Sequence, residues 1–356
     1  MLPYFFLFAL PTIGAIFSSP DGNRREAVLW VSFGVIMAFM IGFRYRVGAD
    51  WGWLQYFFQL LYGKDFSTAI RSTDPAYGAL MWLVANSGLN VWVINLVGGT
   101  VFAFGLLRFC RYESSPWITA VVAVPYLVTV VAMGYDRQAV AIGFVMIGLV
   151  SLQQGSFRWF AAMVVAAASC HISALLVAPI GLLGYRRMKV WQLVVVSAVG
   201  VAMALYMALE SAQQLADAYF MAQYDSSGAV IRVSIVVSAA VGFFLLRRKL
   251  VRNVDEMRLW TAMSVGAILL VPMFWIVPSS TAVDRLGLYF LPLELFVFGR
   301  LPSALARSPE IYQVLMAMII IFSGVELYVW LRYADTAFTW LPYQLFPWNA
   351  LTGSES

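Results

Sequence analysis

Five arginines adjoin or lie inside long apolar stretches of this chain: Arg44, Arg46, Arg137, Arg232 and Arg285. Acids stand near them, with Asp50 shortly after the first two and the dipeptides Asp136-Arg137 and Asp284-Arg285. An ionisable group at membrane depth is costly and is by default a functional hypothesis. A guanidinium keeps its charge and presents five donors in a planar fork, which suits phosphate and pyrophosphate. If these arginines converge on one cavity, the ligand that fits is a polyanion attached to a lipid. The competing reading is that each arginine snorkels to headgroups or pairs with Asp50, Asp136 or Asp284. Asp50, at a membrane boundary, is a candidate general base toward a hydroxyl, or else it orients an arginine. Asp136 and Asp284 read better as helix N-caps.

His171 is the only histidine. An imidazole near its ordinary pKa of about 6.5 is well suited to proton transfer around neutral pH. Its setting, AAASCHISALL, is apolar, so it needs a partner. The alternative is that it ties two half-helices together through backbone groups left free at a break. One histidine and no cysteine cluster leave no metal site, and Cys110 and Cys170 suggest no disulfide framework. There is no Walker A loop, no GxGxxG after a strand and no GxSxG elbow. No cofactor is expected, and energy must come from the substrate or a gradient.

The elements that hold these residues follow from composition. Of the 356 residues, 62% are hydrophobic and 12% charged, with mean hydropathy +0.81. A soluble domain carries roughly 25% charge and about half apolar residues. Here only a bilayer can solvate so much apolar surface. The 13 Trp and 17 Tyr are of the type that gathers at membrane interfaces. The net charge of +5 is scattered among apolar runs, so topology explains it better than nucleic acid does. The start, MLPYFFLFALPTIGAIF, lacks a positive n-region and a cleavage site, and reads as a first membrane segment.

Apolar runs near 20 residues long predict an all-α polytopic membrane protein with about ten spans: 2–17, 27–43, 91–109, 117–134, 136–153, 190–209, 229–246, 258–277, 284–300 and 310–331. With no internal repeat or low-complexity linker, residues 1–356 read as a single integral membrane domain. Residues 157–185 read either as one long span or as a re-entrant hairpin breaking at Cys170-His171. With the hairpin and an outside N-terminus, fifteen Lys/Arg fall on the cytoplasmic side and eight outside. A single span would put Arg186, Arg187 and Lys189 outside and invert every later loop, so the positive-inside rule favours the hairpin. Broken backbone at membrane depth is tolerated only within protein or beside a watery cavity. The outer loop 44–90, with Trp51, Trp53, Tyr56, Phe57 and Phe58, is expected to lie on the membrane surface as short amphipathic helices capping a site.

Several segments together resemble a known family. FRYRVGADWGWLQYFF (43–58) is similar to the "R-x-x-x-G-x-D-x-x-x-Y" segment of EpsG-like proteins, carried by Arg44, Gly48, Asp50 and, at altered spacing, Tyr56. DPAYGALMWLVANSGLN (74–90), GYDRQAVAIGFVMIGL (134–149), AAASCHISALL (166–176), YDSSGAVIRV (224–233) and WLPY (340–343) resemble further segments in the same order. These proteins belong with the Wzy-type polymerases of exopolysaccharide and O-antigen. The resemblance implies a GT-C-like glycosyltransferase in the bacterial inner membrane, with its active site facing the periplasm or outside. Its implied partners are an undecaprenyl-pyrophosphate-linked oligosaccharide and membrane lipid, with no nucleic acid; whether a chain-length regulator protein joins them stays open. The growing glycan would pass from the lipid pyrophosphate to a sugar hydroxyl of the incoming unit. Arg137, with either His171 or Asp50 as base, would carry the chemistry. Arg44, Gln138, Arg232 and Tyr56 would bind substrate through matching motifs, and Arg46 and Arg285 through position alone. Trp51 and Trp53 depart from the pattern; they read as interface anchors or as platforms for sugar rings. A transporter of a lipid-linked sugar, or a transferase that decorates an outer-leaflet glycan once, is the alternative.

Overall fold

The computed structural model of the protein describes residues 1–17, 24–184, 228–277 and 280–347. The expected span 190–209, nearly all of the loop 210–228 and the Arg186–Lys189 cluster lie outside the described residues.

Among the described residues the architecture is helical, with no strand beyond one isolated bridge between Arg44 and Leu345. The elements are α1 (Leu2–Phe17), α2 (Arg24–Gly42), the short helices α3 (Trp51–Leu60), α4 (Phe66–Ser72) and α5 (Pro75–Asn86), then α6 (Trp92–Tyr112). They continue with α7 (Pro116–Gly134), α8 (Asp136–Gln153), α9 (Phe157–Cys170), α10 (Val177–Gly184), α11 (Ala229–Leu250), α12 (Val254–Ile276), α13 (Ser280–Leu305) and α14 (Pro309–Tyr333). Several starts are written in the sequence. Pro75, Pro116 and Pro309 occupy first-turn positions, where the missing N–H has no cost. Asn253 and Ser308 cap α12 and α14 by accepting from Glu256 N and Ile311 N.

Seven of these helices are long and apolar enough to cross a membrane, and they coincide with seven of the expected spans. Of the other three, 2–17 is the 16-residue α1, 136–153 is the 18-residue α8, and 190–209 is not described. Lipid-facing surfaces are plain in the outer helices. On α14, Val314, Met318, Ile321, Phe322 and Val325 form one stripe and are each more than half exposed. A soluble protein rarely leaves such a patch bare.

Inside a bilayer, helices associate through close packing rather than by escaping water. Gly105 of α6 lies directly on the backbone of Gly143 in α8, and a Cβ on Gly143 would stand 2.9 Å from the Phe102 Cα. Two small residues thus bring the two backbones together. That contact fixes where α8 begins, and α8 begins with Asp136 and Arg137.

Residues 157–184 fold back on themselves. Helix α9 ends at Cys170, His171 is extended (φ −158, ψ 114), and a 3-10 turn (Ile172–Leu176) leads into α10. Gly181 of α10 lies against the ring of Phe160 near the start of α9, so the limbs run antiparallel. At 1.5 Å per residue, the 14 residues of α9 reach about 21 Å, short of a hydrocarbon core of about 30 Å.

The loop-rich end of the bundle gathers residues 43–91, the α7–α8 junction, the His171 break, the start of α13 and the C-terminal segment. The chain after α14 clamps this end. Tyr45 N donates to Gln344 O (3.0 Å), Phe346 N to Phe43 O (2.7 Å) and Gly48 N to Thr339 O (2.9 Å). Residues 124–131 of α7 wind as a π-helix, and Trp340 Nε1 donates to the Thr129 carbonyl there at 2.8 Å. Gly48 (φ +99) passes so close to the Met133 carbonyl that no side chain fits. Residues Thr339, Gln344 and Leu345, which flank WLPY, therefore hold the Arg44–Asp50 loop in place.

Candidate active site

Asp74, at the turn before α5, joins three elements. Its Oδ2 accepts from Arg137 Nη1 at 2.9 Å and lies 3.4 Å from His171 Nδ1. Its Oδ1 accepts from the Ile172 backbone N–H at 3.0 Å, capping the 3-10 turn after the break. The loop, the start of α8 and the α9–α10 break thus meet on one carboxylate. Burial pushes the Asp74 carboxyl up. The His171 bond, the charges of His171 and Arg137, and the Ile172 N–H outweigh it and hold the group below its ordinary value.

Arg137 is fixed without being used up. Its Nη1 gives both hydrogens away, to Asp74 and to Thr73 Oγ1 (3.0 Å). The guanidinium lies 4.3 Å over the Trp53 ring, which stacks in turn on Phe57. Among the described residues Nε and Nη2 have no protein partner, and the side chain is 23% exposed. One edge of the fork is anchored and the other stays open, as bidentate capture of a phosphate oxygen pair requires.

Asp50 is half-buried at the head of α3, its backbone N–H held by the Gly134 carbonyl at 3.1 Å. Among the described residues no protein group hydrogen-bonds its carboxylate, which does not cap α3. Burial, and then the charge of Asp136, push its carboxyl up to about 6 against the pull of Arg285, Arg137 and Arg44.

Arg285 is exposed, with its guanidinium 5.9 Å over the Tyr135 ring, and makes no ion pair among the described residues. Gln138 is buried and donates to the Arg285 backbone carbonyl, so it positions that arginine rather than facing the open edge. Arg232 forms a two-pronged pair with Asp284, Nε to Oδ1 at 2.7 Å and Nη2 to Oδ2 at 2.6 Å.

Other expected residues sit differently. Arg44 is 1% exposed and turned inward, bonded to Ile41 O, Val47 O, Asn95 Oδ1 and Asp136. Asp136 is accordingly the buried partner of Arg44, not a cap; the capping position is Tyr135. Asp284 is no cap either, since it lies inside the Ser280–Gly287 segment and pairs with Arg232. Arg46 is exposed in the left-handed region (φ +53), over the Tyr45 ring. Tyr56 is 62% exposed, and among the described residues no hydrogen bond ties it to the cluster. Trp51 is buried, while Trp53 serves as the platform for Arg137. Among the described residues no three His, Cys, Asp or Glu side chains come together as a metal-binding group.

The residue that the sequence reading assigned no role is Asp74. It stood in a quoted segment, but nothing in the linear chain showed that one carboxylate would meet both Arg137 and His171, 63 and 97 positions away.

Comparison with curated proteins and with solved structures yields no match. A family profile described as the EpsG family matches residues 27–345, nearly the whole chain. The protein is therefore a member of the EpsG family, the exopolysaccharide- and O-antigen-polymerase-like membrane proteins.

Proposed function

We propose that the chain is a polysaccharide polymerase that transfers a growing glycan from undecaprenyl pyrophosphate to a hydroxyl of an incoming lipid-linked repeat unit. The observation that carries this reading is Arg137, anchored by Asp74 and Trp53 yet presenting three donors that have no protein partner among the described residues. In the transfer, the bond between the anomeric carbon and the pyrophosphate oxygen breaks, and its electron pair leaves with the pyrophosphate. The acceptor oxygen bonds to that carbon, and its proton passes to Asp50. Arg137 and Arg285 take up the charge that develops on the leaving group, where fixed donors act most strongly. Asp50 is chosen over His171 as base because among the described residues its carboxylate has no competing protein hydrogen bond, whereas the His171 ring and the backbone beside it are engaged by Asp74. His171 is then a positioning residue for Asp74 and Arg137, and Arg44 a scaffold for the Asp50 loop.

Two features support the orientation. The end opposite the site carries Arg108, Arg111, Arg158, Arg247, Arg248, Lys249, Arg252, Arg300 and Arg307, which the positive-inside rule assigns to the cytoplasm. Helix α9 is too short to cross and α10 starts back antiparallel to it, which suits a re-entrant hairpin with His171 at its tip. The site then faces the outer leaflet, as the GT-C-like arrangement implied by the family resemblance would have it.

The test is the pH profile of chain extension by purified protein on lipid-pyrophosphate-linked repeat units. A base at about 6 must be ionised to work, so the wild-type rate falls as pH drops through 6. Asp50→Asn loses that limb along with most of the rate, while His171→Asn keeps the limb at a lower rate. A limb that survives Asp50→Asn and vanishes in His171→Asn assigns the base to His171 instead.

A further inference from the structure

A second concavity lies across α3 from Arg137. Helix α3 turns about 100° per residue, so Trp53 and Phe57, which carry Arg137, share one face. Gln55, Phe58 and Gln59 share the opposite one. Against that second face stands the turn entering α6, where Gly88 takes φ +69 and offers bare backbone. Between them is a cleft of about 300 Å³ lined by the amides Gln55, Gln59 and Asn90 together with Phe58, Gly88, Leu89 and Val91. That volume is at the lower end for small-ligand pockets.

The lining chemistry selects the ligand. Three primary amides face the cleft, and among the described residues none of their side chains makes a hydrogen bond to protein. An amide donates and accepts side by side, the complement of neighbouring hydroxyls. Among the described residues no charged side chain lines the cleft, so none of them answers a phosphate or an ammonium group. An acyl chain would strand the three amides, at a cost. The Phe58 ring adds an apolar face of the kind that meets the C–H side of a pyranose. A neutral, hydroxyl-rich ring satisfies all of these, on the face of α3 opposite the one that carries Arg137.

We propose that this cleft is a saccharide subsite that holds a sugar of the glycan beyond the residue that reacts. The choice of saccharide rests on the polymerase reading, but its test does not. The full-length protein in detergent is mixed with oligosaccharides cut by partial hydrolysis from the cell's own polymer, which carry no pyrophosphate. Saturation-transfer NMR reads contact with the sugar protons. Wild-type protein and Arg137→Ala should bind alike. Gln55→Ala/Asn90→Ala should weaken binding on the order of tenfold, and in cells should shorten the chains without abolishing them. No transfer to the sugars from wild-type protein, equal binding by the double variant, or transfer to lipid headgroup protons in place of sugar would each overturn the subsite. A protein that extends chains yet shows no such transfer refutes the subsite alone; one that binds the sugars yet makes no polymer refutes the polymerase alone.

Discussion

The two ends of the bundle use the same pairing, arginine with carboxylate, to opposite effect. At the end away from the site, Arg300 is enclosed by two glutamates: Nε donates to Glu113, and Nη1 and Nη2 to the two oxygens of Glu256 (2.8 and 3.1 Å). Its Nη1 also donates to the Leu250 carbonyl at 2.9 Å, and its face lies 4.2 Å from Phe296. The three side chains are 2%, 0% and 0% exposed. At the site end, Arg137 gives one nitrogen to Asp74 and Thr73 and keeps the rest open at 23% exposure. A closed network locks α6, α11, α12 and α13 together, whereas a half-open one holds a donor ready. Counting the partners left over separates scaffold from site where residue type cannot.

The largest effect should come from breaking the closed end. Arg300→Ala leaves two buried carboxylates unpaired, a loss of about 3–5 kcal/mol, and the protein should fail to accumulate in the membrane. Arg137→Ala should accumulate normally and lose chain extension by roughly a hundred- to a thousandfold. Quantifying membrane protein beside product for both variants breaks the comparison if the two behave alike. Next comes the α6–α8 seam: Gly105→Val should lower the thermal unfolding midpoint in detergent by an overpacking cost of about 1–3 kcal/mol.

A subtler test concerns Glu113. Burial lifts its carboxyl to about 7 from an ordinary 4.5, against the pull of Arg300. The folded state therefore holds a proton that the unfolded chain releases. The stabilisation is complete below 4.5 and is lost as pH rises through 7. Unfolding midpoints measured between pH 5 and 8 should fall with rising pH, and Glu113→Gln should flatten that slope. The smallest effect is expected from Trp53→Ala, which removes one cation–π contact of about 1 kcal/mol and should slow extension by less than tenfold.

Much of the fold was legible because a bilayer imposes length and apolarity on each crossing helix, and both can be read along the chain. The break at His171 was legible for the same reason, since charge placement made one uninterrupted span improbable. Side-chain partnership was harder to read. Arg44 and Arg137 have the same sequence credentials, an arginine at the edge of an apolar run, yet one is sealed by Asn95 and Asp136 while the other keeps donors open among the described residues. Asp136 and Asp284 resembled caps because each precedes an arginine near a helix start. Tertiary contacts gave them to Arg44 and Arg232 instead. Which acid meets which arginine depends on helix packing, and contacts such as Gly105–Gly143 join residues 38 positions apart.

The central claim is that Arg137 works on a lipid pyrophosphate at the outer leaflet. The most direct measurement is the lipid-linked glycan profile of cells whose only copy carries Arg137→Ala, scored for chain length and membrane side with protein level checked. Single repeat units should be stranded on the outer leaflet at normal protein level. Long polymer would remove Arg137 from the chemistry, and units stranded on the inner leaflet would make the site one of transport.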